Sequence, residues 1–402
     1  SENAMRISTA NAYDAGISTL TSRGADLSAA QTQLASGKRV SKASDDPAAA
    51  ARIEYALAGV QRSDTSQRAV DASQIAMSQT ETAMGDAGSL LQTAREALVA
   101  AGNASYTDLE RKTVADQLQS IRDQLLQVAN RSDGAGSYLF GGQGTTQPPF
   151  VDAPGGVQFV ATPGQSATAS STALPLSVDG SASWLSARTG NGVFVTSAGA
   201  GVTGAQIDNG RVTDPSALTG ADYTLQFSVA SGVTTYAVLK NGAPTAVTNA
   251  PYVSGQTIAL DGMAFSISGA PANGDSFQIV PSTPTLSVFD TLDKAIADLS
   301  TPGRTGTQVA QANSDSLRNI DSVMSTMQGA RSLAGAELNR IDSETSRIAT
   351  QKLSSQTVQS NAVQLDMVQA ISTVQNMQTG YDAALKSYSM VQRLSLFDYL
   401  SG

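Results

Sequence analysis

The sequence predicts an α+β multidomain protein. Long N- and C-terminal helices form a coiled-coil stem and a helical bundle, with a β-rich inserted domain between them. Three observations predict this. Apolar and small residues recur at alternating three- and four-residue spacing near both ends of the 402-residue chain. Of 13 prolines, 11 lie within residues 143–284, together with 18 of the 35 glycines, which marks a turn-rich, helix-poor segment. That segment carries only ten charged residues and shows short alternating apolar runs, as strands do.

The first helix is expected over residues 10–36, with a stripe of Ile17, Leu20, Gly24, Leu27, Gln31 and Leu34. The segment GKRVSKASDDP (37–47) interrupts it. Gly37 suits the left-handed position after a helix. Asp46 followed by Pro47 suits an N-cap and a first helical residue. A second helix is expected from Pro47 to about Gly102, with Ile53, Leu57, Val60, Val70, Met77, Met84, Leu91 and Leu98 on its stripe. A third is expected over about 107–130, with Leu118, Ile121, Leu125 and Val128.

The insert offers strand-like runs at Tyr223-Leu225-Phe227, Val233 to Leu239, Ile258-Leu260, Phe265-Ile267 and Phe277-Ile279. Asn209-Gly210, Asn241-Gly242, Asp261-Gly262 and Asn273-Gly274 are hairpin-type turn pairs. Helix is expected again after Pro284, with Leu286, Phe289, Leu292, Ile296 and Leu299, and it stops at Pro302-Gly303. One very long helix is then expected from about Thr307 to the end. Its late stripe is Met367, Ile371, Val374, Gln378, Tyr381, Leu385 and Tyr388, the counterpart of the N-terminal one.

These readings give four regions. Residues 1–4 read as an expression scar ahead of Met5. Residues 5–45 and 360–402 form the terminal coiled-coil stem. Residues 46–142 and 285–359 form a helical rod domain, and 143–284 a β-rich outer domain. The stem carries few large apolar side chains for the length of chain it must order, so neighbouring copies are expected to complete its burial.

Composition narrows the function. There is no cysteine and no histidine, which removes thiol nucleophiles, disulfides, zinc–thiolate sites and the commonest general base and metal ligand. The net charge is −9 with scattered basic residues, unlike the clustered basic face of a nucleic-acid binder. No run reaches the length of a membrane span, and no apolar signal segment follows Met5. No catalytic, cofactor-binding or metal-binding residue is expected.

Several motifs invite chemistry and read better as structure. Residues 199–204, GAGVTG, match a dinucleotide fingerprint in form, but a turn-like AQIDNG follows where a helix must start. Gly37-Lys38 lacks the glycine of a phosphate loop five residues earlier and is followed by Arg39. Asp45-Asp46 resembles a carboxylate pair for a metal, yet Pro47 favours helix capping. Arg331, Arg340 and Arg347 with Glu337, Asp342 and Glu344 read as a solvated helix face with intrahelical pairs. Trp184 reads as a core or turn anchor.

Four segments carry a family resemblance. QLASGKRVSKASDDPAAAARI (33–53) resembles the N-terminal signature of the flagellins and flagellar hook-associated proteins, including its corner residues Ser36, Gly37, Lys38, Arg39, Asp45, Asp46 and Pro47. GSYLFGG (136–142) is similar to the segment where that family leaves its helical domain, and RSLAGAELNRID (331–342) to its C-terminal stretch. The tail over 366–400, ending LSLFDYL, looks most like the members that sit at the hook–filament junction.

The resemblance implies a flagellar structural protein that joins hook to filament and seats the first flagellin subunits. The implied assembly seam is Ile17, Leu20, Leu27, Leu34, Met367, Ile371, Val374, Tyr381, Leu385 and Tyr388. Implied partners are another flagellar hook-associated protein, flagellin, further copies of itself in a ring and a flagellar export chaperone. The implied location is the extracellular flagellum, reached without a cleaved signal peptide. Two alternatives stay open at this stage. Flagellin itself would polymerise unaided, and a coiled-coil surface adhesin would bind a glycan or host protein through its insert.

Overall fold

The structure is a computed structural model that describes residues 2–169 and 172–400, with side chains for 11, 13–169 and 172–390. Ser1 of the expected scar lies outside the described residues. The rest of that scar begins helix α1 (Glu2–Ser36). The side chains of the LSLFDYL tail lie outside the described set. The chain divides into two compact units, residues 1–67 with 345–402 and residues 68–344.

In the larger unit, the later part of α2 (Pro47–Ala101) packs with α3 (Asp108–Ala129), α5 (Val288–Ser300) and the earlier part of α6 (Gly306–Val363). Most of the stripe expected in α2, α3 and α5 is buried here: Met84, Leu91 and Leu98, then Leu118, Ile121 and Leu125, then Phe289, Leu292 and Leu299, with Ile296 half-buried. α3 starts on a capping box. The Thr107 side chain accepts from the Glu110 N–H, and the Glu110 carboxylate accepts from the Thr107 N–H at 2.7 Å. Ser287 caps α5 through its side chain alone, accepting from the Phe289 and Asp290 N–H groups.

The insert does not behave as one β domain. Its first part, with strands β1 (Phe150–Ala153) and β2 (Gly156–Phe159) and the short α4 (Gly180–Trp184), adds Phe150, Val157 and Trp184 to the helical core. Trp184 is fully buried and stacks on Phe289 at 5.8 Å between centroids. Aromatic burial, which the low-pattern sequence of 143–187 does not announce, draws this segment onto the helices.

The separate β core begins at Phe194. Among the described residues, a six-stranded antiparallel sheet has β3 (Phe194–Ala198), β12 (Ser276–Pro281), β6 (Tyr223–Ala230), β7 (Val233–Lys240) and β8 (Ala243–Pro244) in that order, with β9 (Ala250–Pro251) also on β7. A second sheet orders β10 (Thr257–Leu260), β11 (Met263–Gly269) and β4 (Ala205–Ile207), with β5 (Arg211–Val212) also on β11. Leu225 and Phe277 from the first sheet share one cluster with Phe265 and Ile267 from the second. Asn241-Gly242 and Asp261-Gly262 turn with positive φ at both positions, as their hairpins require. Ser231-Gly232 does the same between β6 and β7, a turn the sequence reading passed over.

The GAGVTG segment links β3 to β4 and no helix follows it. A Cβ on Gly204 would come 2.5 Å from the Ala270 carbonyl oxygen, so this glycine serves close backbone packing. α6 holds the base of the β region through side chains. Gln311 accepts from the Ile207 N–H at 2.8 Å, and Arg318 donates to Asn209 Oδ1 at 2.9 Å.

In the smaller unit, α1 pairs with α7 (Met367–Leu400), and the start of α2 pairs with the end of α6. This unit extends beyond the expected stem residues 5–45 and 360–402, to 67 on α2 and to 345 on α6. A Cβ on Gly59 would meet Ser355 Oγ at 2.6 Å, and Lys352 pairs with Asp64 at 2.7 Å. The single C-terminal helix expected from Thr307 is two helices. α6 ends at Val363 and α7 starts at Met367, because Asp366 caps α7, accepting from Val368 N–H at 3.0 Å.

Candidate assembly surface

The α1/α7 pair is built from helix-spaced small and aromatic residues. Tyr388 and Tyr381 of α7 lie over Gly16 and Gly24 of α1, where a Cβ would sit 3.6 Å and 3.4 Å from their rings. Tyr13 and Tyr388 meet ring to ring at 5.5 Å. Arg23 donates to the Gly380 carbonyl at 2.9 Å, which fixes the axial register. Glycine inside a helix costs about 1 kcal/mol relative to alanine, and the two in α1, Gly24 on the expected stripe and Gly16 beside it, are where the α7 tyrosines approach.

The ten seam residues separate into two sets. Leu20, Leu27, Leu34, Val374, Tyr381 and Tyr388 are half-buried. Ile17, Met367, Ile371 and Leu385 are exposed, at 42–46%. On α7 the half-buried line uses Ala370 and Ala384 beside Val374, Tyr381 and Tyr388, one residue before Ile371 and Leu385 in each case. Small side chains leave room there for the two tyrosines, and the larger neighbours turn outward. Met367, Ile371 and Leu385 fall within 40° of one another at 100° per residue, so they form one apolar stripe flanking the seam. No described side chain of α1 or α7 is fully buried.

The corner residues carry a dense hydrogen-bond set. Gly37 takes φ +66°, and Ser36 accepts from the Lys38 N–H at 3.3 Å. Asp45 accepts from the N–H groups of Ser41 and Lys42 at 3.0 and 2.8 Å, which closes the loop. Asp46 caps α2, accepting from Ala48 and Ala49 N–H at 3.1 and 2.9 Å, with Pro47 as the first helical residue. The Ala49 N–H and then Arg39 hold its carboxyl below the usual range. Asp45 is thus engaged in closing the loop and Asp46 in capping α2, and among the described residues no group of three or more His, Cys, Asp or Glu converges as a metal site.

The corner also reaches far along the chain. Lys38 forms an antiparallel bridge with Gln364, Arg39 N–H donates to Val363 O at 2.7 Å and Leu365 N–H donates to Gly37 O at 3.2 Å. Beside it lies an open groove of about 540 Å³ lined by Lys38, Val40, Lys42, Ile53, Gln356 and Val363.

Arg331, expected to pair within its own helix, reaches instead to Glu81 on α2 at 2.6 Å. Arg340 pairs with Glu337 at 3.1 Å as expected and also donates to the Ala173 carbonyl. Sequence spacing shows only i,i+3 and i,i+4 partners, and the interhelical ones needed the packing.

Residues 7–145 match the bacterial flagellin N-terminal helical region, and 195–281 match the D2-like domain of flagellar hook-associated protein 1. Flagellar hook-associated protein 3 of Salmonella typhimurium is 39% identical over 153 residues, 38% of this chain and 48% of that relative's length. The Escherichia coli protein of the same name is 25% identical over 98% of this chain and 99% of its own. Xanthomonas campestris FlgL is 31% identical, with a TM-score of 0.66, over 75% of this chain and 99% of that structure. This chain belongs to the flagellar hook-associated protein 3, or FlgL, family. The flagellar junction protein FlgL of Legionella pneumophila shares the architecture, with a TM-score of 0.68 at 26% identity over 78% of this chain. Membership makes the chain a structural flagellar protein, not an enzyme.

Proposed function

We propose that this FlgL-family chain forms the hook–filament junction as a ring of copies. One side of the ring meets another hook-associated protein and the other seats the first flagellin subunits. The observation that carries this reading is the α1/α7 pair, which half-buries six of the ten seam residues and leaves Ile17, Met367, Ile371 and Leu385 exposed. A stripe of that kind is half of a helix–helix interface.

Charge supports the same reading. Residues 1–67 and 345–402 hold 11 basic and 10 acidic residues, whereas 68–344 hold 14 and 24. A near-neutral surface lets copies approach closely. The acidic remainder favours solubility and opposes indiscriminate association. Delivery without a cleaved signal, in an export-competent state held by a flagellar chaperone, completes the proposal. No described helix is long and apolar enough to cross a membrane.

The test mixes the purified chain with flagellin and with the other hook-associated protein. The expected result is binding to each and no long filament from this chain alone. Unaided growth of long filaments would mark it as a filament subunit instead, and binding of a glycan by the insert with no flagellar partner would favour the adhesin reading.

A further inference from the structure

Arg39 links the end of α1 and the start of α2, both nearby in sequence, to the end of α6, 323 residues away. Its backbone N–H donates to Val363 O at 2.7 Å and its Nη2 to Ala362 O at 3.1 Å, so one residue satisfies two terminal carbonyls of α6. Its Nη1 donates to Asp46 Oδ2 at 2.9 Å, the carboxylate that caps α2. Its carbonyl accepts from Gln33 Nε2 in the last turn of α1 at 3.0 Å. The last carbonyls of a helix lack intrahelical donors and carry partial negative charge, so a guanidinium is well matched to them.

We propose that Arg39 is the positioning residue that sets the direction in which α1 and α7 leave the paired ends of α2 and α6. Both helical connections break at this level, at 37–46 and at 364–366. Arg39 is bonded to α1 and to the cap of α2 across the first break and to the end of α6 before the second. Leu365 N–H donating to Gly37 O and the Lys38–Gln364 bridge tie the start of the second connection to the same corner. Asp46 keeps its bonds to Ala48 and Ala49 without Arg39, so α2 does not depend on this contact. The link itself is exposed, with 45% of the Arg39 side chain and 33% of Asp46 accessible. It therefore acts on geometry at the corner rather than on the stability of a core. The planar fork matters as well as the charge, because two separate nitrogens serve Ala362 and Asp46; a lysine ammonium is a single point donor. The consequence for assembly rests on the junction reading above.

The test compares the full chain with Arg39→Ala, Arg39→Lys and Asp46→Asn. Amide exchange at residues 364–370 is expected to accelerate about tenfold or more in Arg39→Ala, the scale of losing a charge-assisted hydrogen bond. Exchange in the Trp184–Phe289 core should stay unchanged. Arg39→Lys is expected to restore less than half of that protection, and Asp46→Asn to keep the bond to Ala362. Binding to flagellin and to the other hook-associated protein is expected to fall in step with the lost protection. Unchanged exchange in Arg39→Ala, or full rescue by Arg39→Lys, would overturn the inference. Failure of the unsubstituted chain to bind either partner would overturn the junction reading instead, while the exchange result would still decide the role of Arg39 at the corner.

Discussion

The α1/α7 pair and the α3/α5 region are both helical, yet they solve burial in different ways. α3 and α5 place Leu118, Leu125, Phe289 and Leu292 at full burial in one cluster with Trp184. α1 and α7 bury no described side chain completely and keep Ile371 at 44% exposure. One region is finished within its own chain, and the other is left half-finished. Helical periodicity alone is therefore a poor guide to where stability resides, since helices draw most of it from tertiary packing.

The largest effect should come from the finished region. Trp184→Ala removes the ring that meets Phe140, Phe150 and Phe289 and should cost about 3–5 kcal/mol in urea unfolding. A loss under 1 kcal/mol would mean that the aromatic cluster does not hold this unit together. Arg122 comes next. It is buried in α3, bonds Asp293 of α5 at 2.9 Å and Asp152 of β1 at 2.8 Å, and its pKa is raised mainly by Asp152. Arg122→Ala should cost about 1.5–3 kcal/mol, the range for hydrogen bonds to charged groups, with the lower half expected because both acids are partly solvated.

The half-finished region should respond in the opposite sense. Ile371→Asp should change monomer unfolding by less than about 0.5 kcal/mol, as an exposed substitution does, while abolishing assembly. Leu27→Asp, on the half-buried line, should weaken both. Assembly at the unsubstituted level in Ile371→Asp would remove the outward stripe from the interface. Gly24→Ala should act only locally, without blocking assembly. Its Cβ would meet Tyr381 at an ordinary 3.4 Å, so helix propensity should dominate, with a gain of up to about 1 kcal/mol in local exchange protection of α1. A loss there would show a seam tighter than this distance implies.

Acid sharpens the comparison within the larger unit. Arg122 holds the Asp152 carboxyl below 3.8, so its stabilisation is present above that value and disappears as pH falls through its lower folded value. Burial pushes Asp315 up, against the opposing pull of Arg318. Between 3.8 and its raised folded value, Asp315 takes up a proton more readily folded than unfolded, so its contribution grows as pH falls. Asp315→Asn should remove that rise from the urea midpoint measured across this window. An identical pH profile in the variant would refute the assignment.

Much of the corner was legible in the sequence. Gly37 needs no Cβ at φ +66°, and Asp46-Pro47 states a cap and a first helical residue within two positions. Likewise, Asp261-Gly262 and Asn241-Gly242 specify their turns locally. The break before α7 was also open to reading, because Asp366 is a capping residue, but the apolar stripe continuing past it suggested one helix. The placement of Phe150 and Trp184 on the helices was not legible, since their partner Phe289 lies more than 100 residues further on.

By itself, then, the sequence determined most of the helices, the Asp46 cap, the Asn241-Gly242 and Asp261-Gly262 turns and the greasy stripes at the two ends, because each depends on residues within a few positions of one another. Asn209-Gly210 and Asn273-Gly274 lie between strands that do not pair with each other. Tertiary structure decided which side of each stripe turns inward: Ala370 and Ala384 under the seam, Ile371 and Leu385 outside it. It also decided that Arg39 closes α6, 323 residues later in the chain. Both outcomes follow from chain segments meeting in space, where the size of a facing tyrosine or an orphaned carbonyl selects its partner, and no local pattern encodes that meeting.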